Sequence, residues 1–151
     1  MSRTTNKINK IAIICLVTVS VIVIVIAIIS RQRLKSNSTS SSAHVLHVFT
    51  ARGINGYSVR YVYQINGKEY FNSSLLAFNK INGTYLGCLL NNRNLPVVYE
   101  RSNPQNSRML FDSKDFGEFN IEVEDSLKRI VSYIDYIAVN YTIDSLKNPC
   151  Q

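Results

Sequence analysis

An uninterrupted apolar run from Ile11 to Ile29 is the feature that most constrains how this chain folds. Its nineteen residues carry no charge, and fourteen of them are Ile, Leu or Val. At a rise of about 1.5 Å per residue, a helix of this length covers roughly 28 Å, which matches the hydrocarbon core of a bilayer. Lipid offers backbone amides no partner outside the segment, so a single span must be helical although its residues are largely β-branched. The run predicts one transmembrane helix, since uncharged runs of this length are rare in soluble domains.

The residues after the run predict an anchor that is not cleaved. A secretory signal has a shorter apolar stretch, of roughly 7 to 15 residues, followed by small residues at a cleavage site. Here Arg31, Arg33 and Lys35 follow at once. The predicted organisation is a basic tail over 1–10, a transmembrane anchor over 11–30, a basic flank with a Ser-rich linker over 31–42 and one small domain over 43–151.

The basic charge of the chain is concentrated at the two ends of the predicted span. The formal net charge is +7, from 17 basic and 10 acidic residues. Six of the basic residues flank the span, and these are Arg3, Lys7, Lys10, Arg31, Arg33 and Lys35. The remaining 11 basic residues face 10 acidic ones, so residues 36–151 carry a formal charge of only +1. Lys and Arg beside a span meet lipid headgroups. The bilayer is therefore the predicted partner, and the basic charge gives no support for nucleic-acid binding.

The side of the membrane on which the domain lies is predicted from two signals, because three basic residues on each side leave the positive-inside rule tied. The polar segment Ser36–Ser42 is typical of a flexible linker that tethers a domain away from a membrane. Cys88 and Cys150 both follow it, and an even pair in an exported domain is a disulfide candidate. These signals favour an extracytoplasmic domain on the periplasmic side. A cytosolic domain with two unpaired cysteines is the alternative.

Alternating side chains predict a β-hairpin at the start of the domain. Residues 57–65 show the period-two pattern of a strand with one buried face. Asn66-Gly67 then supplies the positive φ angles of a two-residue turn into a strand over 68–75. The resulting register pairs Ile65 with Lys68, Tyr63 with Tyr70 and Val62 with Phe71. Further short strands are predicted over 85–90, 95–100 and 108–111, which makes a meander of five or six strands.

An apolar stripe predicts a covering helix in the C-terminal part of the chain. Its members are three or four residues apart, the spacing of one helix face, and these are Leu127, Ile130, Val131, Ile134, Ile137, Ala138 and Tyr141. Glu122, Glu124 and Asp125 crowd the first turn, where carboxylates oppose the positive end of the helix dipole, and Asn120 is the predicted cap. The stripe is interpreted as the face that packs on the sheet; an exposed face for a partner helix or a membrane is the alternative. The predicted fold is α+β, with an N-terminal transmembrane helix and then a small antiparallel meander covered by one amphipathic helix.

Short motifs in the middle of the domain carry a family resemblance. They are Val59-Arg60-Tyr61-Val62-Tyr63, Asn66-Gly67-Lys68-Glu69-Tyr70, Pro96-Val97-Val98-Tyr99 and Asn103-Pro104. In this order they resemble a family of small bacterial membrane-anchored domains of unknown function. Arg101 stands where that family often has proline. The resemblance implies a small β-rich extracytoplasmic domain, and it implies no catalytic residues because the family has none assigned.

The residue types that carry chemistry form no recognisable site in the sequence. His44 and His47 point to opposite faces if they lie on one strand, so a shared metal is predicted only on a helix. Cys88 has no histidine near it in sequence that would activate it. The sequence contains no Gly-rich phosphate loop, serine elbow or paired-carboxylate motif. No catalytic residue, metal ligand or cofactor is therefore predicted.

Tyrosine is the residue type that indicates a contact surface. Tyr57, Tyr61, Tyr63 and Tyr70 belong to the predicted hairpin, and tyrosine is enriched at binding surfaces. A place in the core is the alternative for these side chains. The functional hypothesis is a non-enzymatic, single-pass anchored envelope protein whose domain makes protein contacts. The alternatives are an immunity-type protein that neutralises a toxin and an enzyme that uses Cys88 or a histidine.

Overall fold

Over residues 2–51, 56–76 and 83–139, which a computed structural model describes, the chain forms one long helix, five strands and three shorter helices. The helices are α1 (Ser2–Ser36), α2 (Gly83–Leu90), α3 (Ser113–Glu118) and α4 (Asp125–Val139). The strands are β1 (Ser38–Thr50), β2 (Tyr57–Ile65), β3 (Lys68–Leu76), β4 (Asn94–Glu100) and β5 (Asn103–Met109). The predicted α+β class, with an apolar N-terminal helix and a C-terminal helix, is confirmed.

The sheet is antiparallel, with the strand order β3-β2-β1-β4-β5. Its central strand, β1, is 13 residues long. The second part of β1 pairs with β2, and its first part pairs with β4. The order departs from the predicted uninterrupted meander, because the long β1 offers a second edge. After β3 the chain passes through α2 and adds β4 at that edge.

The two edge strands, β3 and β5, approach each other so that the sheet is nearly closed and barrel-like. Side chains bridge the gap between them, which we call the β3–β5 seam. Asn72 Nδ2 donates to the carbonyl oxygen of Gln105 and to Ser107 Oγ, both at 2.8 Å. The amide of Met109 donates to Ser74 Oγ at 3.0 Å. The near closure turns the inward side chains of all five strands toward one core.

The Ser-rich segment predicted to be a flexible linker is instead the first part of β1. Ser38–Ser42 pairs with Pro96–Glu100 of β4. A ladder uses backbone N–H and C=O groups, and a neighbouring strand can satisfy them even where the side chains are small and polar. The domain therefore begins before the predicted boundary at residue 43. Asn37 is the one residue between the end of α1 and the first strand.

The hairpin of β2 and β3 is confirmed in its turn and its register. Asn66 and Gly67 have φ angles of 50° and 80°, in the left-handed region that this turn requires. The observed pairs include Ile65 with Lys68, Tyr63 with Tyr70 and Val62 with Phe71. The turn at Asn66 and Gly67 therefore sets which side chains of the hairpin face the core.

Two other strand predictions are wrong. Residues 85–90 lie in α2, where Leu86, Leu89 and Leu90 are buried at helical spacing. The last strand is β5, from Asn103 to Met109, instead of the predicted 108–111. The turn lies at residues 101–102, and Asn103-Pro104 opens β5. Proline is tolerated there because β5 is an edge strand.

The C-terminal helix α4 buries the predicted face. Its buried side chains are Leu127, Ile130, Val131 and Ile134, which belong to the same core as the inward side chains of the strands. Its flank contacts α2, where the rings of Tyr85 and Tyr133 lie 5.6 Å apart. The side chain of Ile137 and the whole of Tyr141 lie outside the described residues.

Asn120 ends α3 and does not cap α4, in contrast to the prediction. It has a φ angle of 53°, and its amide donates to the carbonyl of Gly117 at 3.3 Å. The amide of Ile121 donates to the carbonyl of Phe116 at 3.1 Å. These two bonds form a Schellman motif, which uses the tolerance of asparagine for positive φ.

Candidate functional site

The first part of the candidate site is the long apolar helix itself. The segment Ala12–Ser36 is long and apolar enough to cross a membrane, and an 18-residue window within it has a mean hydropathy of 3.4. Its large apolar side chains between Ile13 and Ile29 are exposed; Leu16, for example, is 70% exposed. A helix with this surface needs an apolar environment around it.

The last turns of α1 behave differently, because they pack on the domain. Leu34 is 5% exposed and belongs to the domain core. The carbonyl of Ser30 accepts a hydrogen bond from Asn106 Nδ2 at 3.0 Å. Directly after the helix, the carbonyl of Asn37 accepts from the amide of Arg101 at 3.1 Å. The helix is therefore attached to the sheet at several points along about 10 Å of its length.

A cluster of charges, the junction cluster, joins the same turns to α3. Its centre is the buried carboxylate of Glu118 at the end of α3. Arg31 binds it in a bidentate manner, with Nη2 at 2.9 Å from Oε1 and 3.0 Å from Oε2. Lys35 Nζ lies 2.9 Å from Oε1, and Arg108 Nη1 lies 3.4 Å from Oε2. Burial opposes the charged form, but the hydrogen bonds of Lys35 and Arg31 and the charges of both arginines lower the pKa of Glu118.

Arg108 also holds the second carboxylate of the junction cluster, Asp115, which is buried. The other oxygen of Asp115 accepts from the amide of Phe111 at 3.3 Å. Burial raises the pKa of Asp115, and the charge of Arg108 opposes this effect. The amide of Asp115 donates to Asp112 Oδ1 at 2.7 Å, which caps α3. The cluster therefore fixes both ends of α3 against α1 and β5.

Asn106 links a third buried carboxylate to α1. Its Nδ2 donates to Glu100 Oε2 at 2.8 Å as well as to the carbonyl of Ser30. Ser102 Oγ donates to Glu100 Oε1 at 2.6 Å. The hydrogen bonds of Asn106 and Ser102, together with the charge of Arg33, lower the pKa of Glu100 against the effect of burial. The anionic form of this carboxylate is thus the one that the fold selects.

A cleft of about 450 Å³ lies between α1 and the β3–β5 seam. Its apolar lining includes Ala27 and Leu34 of α1, Leu75 of β3, Met109 of β5 and Phe119. The polar side chains beside it are engaged in the hydrogen bonds and ion pairs given above. The arrangement is therefore that of a joint between a helix and a domain, with an apolar cleft along it.

The predicted tyrosine contact face is largely buried, which corrects that expectation. Tyr61 and Tyr63 are 0% and 3% exposed, and Tyr57 and Tyr70 are half-buried against the same core. Tyr61 Oη lies 3.1 Å from Ser107 Oγ across the β3–β5 seam. Burial raises the pKa of both Tyr61 and Tyr63. The alternation of tyrosine was a core pattern, in which partners across the seam satisfy the hydroxyl groups.

The exposed aromatic and aliphatic side chains lie instead on the outer face of the sheet. Phe71 is 57% exposed and Leu75 is 48% exposed on β3, and Leu46 and Phe49 are exposed on β1. The guanidinium of Arg60 lies 5.6 Å over the ring of Phe49. Sequence reasoning missed this surface, although the alternation of β3 places residues 71 and 75 opposite to its buried side chains.

His44 and His47 lie on the same outer face, whereas the sequence predicted opposite faces. His44 pairs with Val62 and His47 pairs with Arg60, which are two residues apart on β2. The register shifts at Leu46, an extra residue that reverses the alternation of β1. A bulge of this kind gives no signal in the sequence pattern, so the opposite-face prediction is wrong.

The two histidines have different neighbours. His44 Nδ1 lies 3.0 Å from Asn94 Oδ1, and the ring of His47 stacks on Phe49 with centroids 6.3 Å apart. Among the residues that the structure describes, no group of three or more His, Cys, Asp or Glu side chains is placed to hold a metal ion.

The structure describes one of the two cysteines that were predicted to form a disulfide. Cys88 lies in α2 and is disulfide-bonded. Cys150 lies outside the described residues, so the pairing of Cys88 with Cys150 stays a prediction.

Comparisons of the chain with protein-family models, with curated proteins and with solved structures give no match.

Proposed function

We propose that the chain is a single-pass membrane-anchored protein without enzymatic activity, whose domain is held at the bilayer surface by its own anchor helix and makes protein contacts there. The observation that carries this proposal is the burial of Leu34 in the domain core, five residues after the apolar run ends at Ile29. A helix that continues from the membrane into the core is a rigid connection. The proposal includes membership of the family of small membrane-anchored domains that the motifs resemble.

A cleaved leader is the other use of such an N-terminal helix, and the junction argues against it. Cleavage of a secretory signal follows closely after its apolar stretch, which places the cut at about residues 30–35. Such a cut would detach Arg31 from Glu118 and break the turn that carries Leu34. The Arg31 side chain is 61% exposed, so most of the loss would come from Leu34, whose burial in the core would be removed. A cleaved domain would therefore be less stable than the intact chain.

An extracytoplasmic location of the domain is supported by Cys88. Disulfides persist in oxidising compartments outside the cytosol, and Cys88 is disulfide-bonded. The Ser-rich segment no longer supports this location, since Ser38–Ser42 is a paired strand. The disulfide at Cys88 also weakens the alternative of an enzyme that uses this cysteine. A disulfide-bonded sulfur carries no thiolate that would act as a nucleophile.

Carbonate extraction of membranes tests the anchor. We expect the full-length chain to remain in the membrane pellet through high-salt and carbonate washes, because apolar insertion does not depend on ionic contacts. A matched control carries Ile22→Lys and Ile24→Lys, which make insertion unfavourable, and should leave the pellet. Release of a shortened domain from the wild-type chain would show cleavage and contradict the proposal.

Protease treatment of intact spheroplasts tests the side of the membrane. We expect a C-terminal epitope to be removed from the chain before lysis. Protection of the epitope until the membrane is broken would place the domain in the cytosol and would also remove the basis for a disulfide at Cys88.

Site-specific photo-crosslinking tests the protein contacts. Phe71 is the most exposed aromatic side chain on the outer face of the described sheet, and exposed aromatic residues are enriched at interfaces. A photo-reactive phenylalanine at position 71 should give a discrete crosslinked product in intact cells. The same residue at position 128, an exposed site on α4, is the control, and identical products at both positions would contradict a specific contact.

A further inference from the structure

Two exposed apolar side chains stand in one cross-strand row at one end of the sheet. Phe49 of β1 pairs with Ser58 of β2, and Ser58 pairs with Leu75 of β3. The row therefore crosses three strands, about 10 Å at the usual strand spacing. Phe49 is 37% exposed and Leu75 is 48% exposed. We call Phe49, Ser58 and Leu75 the rim row.

The rim row lies at the height of the C-terminal end of the apolar run in α1. Leu75 and Ala27 line the same cleft. Ala27 precedes Ile29, the last residue of the run, by two positions. At about 1.5 Å per residue, it lies roughly 3 Å inside the edge of the hydrocarbon layer. The cleft extends along α1 as far as Leu34, and the contacts of β5 fix the height of Leu75 within it. Asn106 of β5 donates to the carbonyl of Ser30, and Met109, three residues farther along β5, donates to Ser74 beside Leu75. Leu75 therefore lies on the bilayer side of Ser30, close to the boundary between acyl chains and headgroups when α1 spans a bilayer.

The course of β3 places the other exposed residues of the outer face farther from the bilayer. Near the start of β3, Tyr70 pairs with Tyr63, whose hydroxyl donates to the carbonyl of Pro104. The turn just before Pro104 binds the end of α1, through the bond from Arg101 to Asn37. β3 thus runs from the level of the end of α1 to the level of Ala27. Phe71 lies near the start of β3, which is the part of the strand farther from the bilayer.

The height of the rim row is fixed by rigid contacts, since no flexible segment separates α1 from the domain. Leu34 is buried in the core, and Arg31 binds Glu118 with two hydrogen-bond distances of 2.9 and 3.0 Å. One residue, Asn37, separates the helix from β1. A bilayer that contains α1 therefore meets the end of the sheet that carries the rim row.

We propose that the rim row is a lipid-contact surface, in which Phe49 and Leu75 enter the boundary between headgroups and acyl chains. This inference rests on the proposed function of α1 as a membrane anchor. Aromatic and apolar side chains favour this boundary layer. Arg60, whose guanidinium lies over the ring of Phe49, reaches the lipid phosphates while its stem covers apolar surface. The bilayer is the occupant because α1 already brings it to this row.

Tryptophan fluorescence tests the inference directly, because the chain contains no tryptophan. The full-length variants Leu75→Trp, Phe49→Trp, Phe71→Trp and Ile22→Trp are each placed in phosphatidylcholine and phosphatidylglycerol vesicles, with and without lipids brominated close to the headgroup. Leu75→Trp and Phe49→Trp should have blue-shifted emission and lose most of it in brominated vesicles. Phe71→Trp, on the same strand and face as Leu75, should keep its emission and remain accessible to iodide.

The outcomes separate this inference from the anchor. Quenching of Ile22→Trp by lipids brominated deeper in the acyl chains reports insertion of α1. If Ile22→Trp is quenched while both rim variants stay unquenched, the anchor stands and the lipid contact is overturned. Blue-shifted but unquenched emission at the rim would mean that a protein surface, such as a second copy of the chain, covers the row, and this also overturns it. Absence of quenching at all positions would reject the anchor itself.

Discussion

Substitution of Leu34 by alanine tests whether the end of α1 is part of the domain. The change removes about three carbon atoms from a side chain that is 5% exposed, a transfer loss of about 2.4 kcal/mol at ~0.8 kcal/mol per carbon. Buried Leu→Ala changes cost about 2 to 5 kcal/mol once the residual cavity is included. Leu34 borders the cleft, so the new space joins an existing opening and little additional cavity is enclosed. We therefore expect a loss of about 2 to 3 kcal/mol in the free energy of unfolding.

The measurement is urea unfolding of the full-length protein in detergent micelles, followed by the near-UV circular dichroism of the tyrosines. Tyr61 and Tyr63 lie in the core, and the chain has nine tyrosines and no tryptophan, so this signal reports the domain. Leu16→Ala is the matched control, because it makes the same change at a 70% exposed position of the same helix. Equal unfolding free energies for Leu34→Ala and Leu16→Ala would refute the argument that α1 and the domain fold as one unit.

Three further predictions use the same unfolding measurement. Ile134→Ala should cost about 2 to 5 kcal/mol because Ile134 is fully buried, whereas Lys128→Ala, at an exposed position of α4, should leave the midpoint unchanged. Gly67→Val should cost about 1 to 3 kcal/mol, since Gly67 has a φ angle of 80°; no steric clash contributes, because a Cβ there meets nothing within 4 Å. Glu118→Gln should cost about 1 to 2 kcal/mol at neutral pH. The folded pKa of Glu118 is lowered, so its contribution is present above the ordinary pKa of about 4.3 and is lost as the pH falls through the folded value. The difference between wild type and Glu118→Gln should therefore shrink in acid, and a constant difference at all pH values would contradict the ionic role.

The parts of the fold that the sequence predicts correctly are those with strong local signals. Asn66-Gly67 has the turn chemistry of a hairpin and therefore also sets its register. The stripe containing Ile130 and Ile134 repeats at the spacing of one helix face. The apolar run up to Ile29 is nineteen residues long, which exceeds the usual length of a strand, and it lies within one helix. In each case the residues that determine the element lie within it.

The wrong predictions concern segments whose conformation depends on distant partners. Ser38–Ser42 has no strand pattern of its own, and β4 supplies its pairing. The segment 85–90 has apolar residues compatible with either a short strand or a helix, and burial of Leu86, Leu89 and Leu90 decides for the helix. Asparagine is common both at the start of a helix and just after its end. The residues around Asn120 therefore do not show from the sequence whether it ends α3 or begins α4.

The candidate site was predicted least well, because its members are far apart in the sequence. Arg31 and Lys35 were assigned to lipid headgroups, which is a sound inference from their position beside the span. Their observed partner, Glu118, follows Arg31 by 87 residues. No periodic or turn signal connects positions so distant, and three cations converge on one carboxylate only after β5 and α3 are in place.

The junction cluster gives α3 a role beyond its six residues. The carboxylate at its end holds α1 through Arg31 and Lys35, while Asp115 near its start is held by Arg108 of β5. The first residue of α3, Ser113, donates from its amide to Asp135 of α4 at 3.0 Å and from its hydroxyl to the same carboxylate at 2.5 Å. A change in the tilt of α1 would therefore reach α3, β5 and α4 through charge-assisted hydrogen bonds. Since packed helices move as units rather than deform continuously, a displacement of α1 should displace these elements with it, because a docked helix and not a flexible linker precedes the sheet.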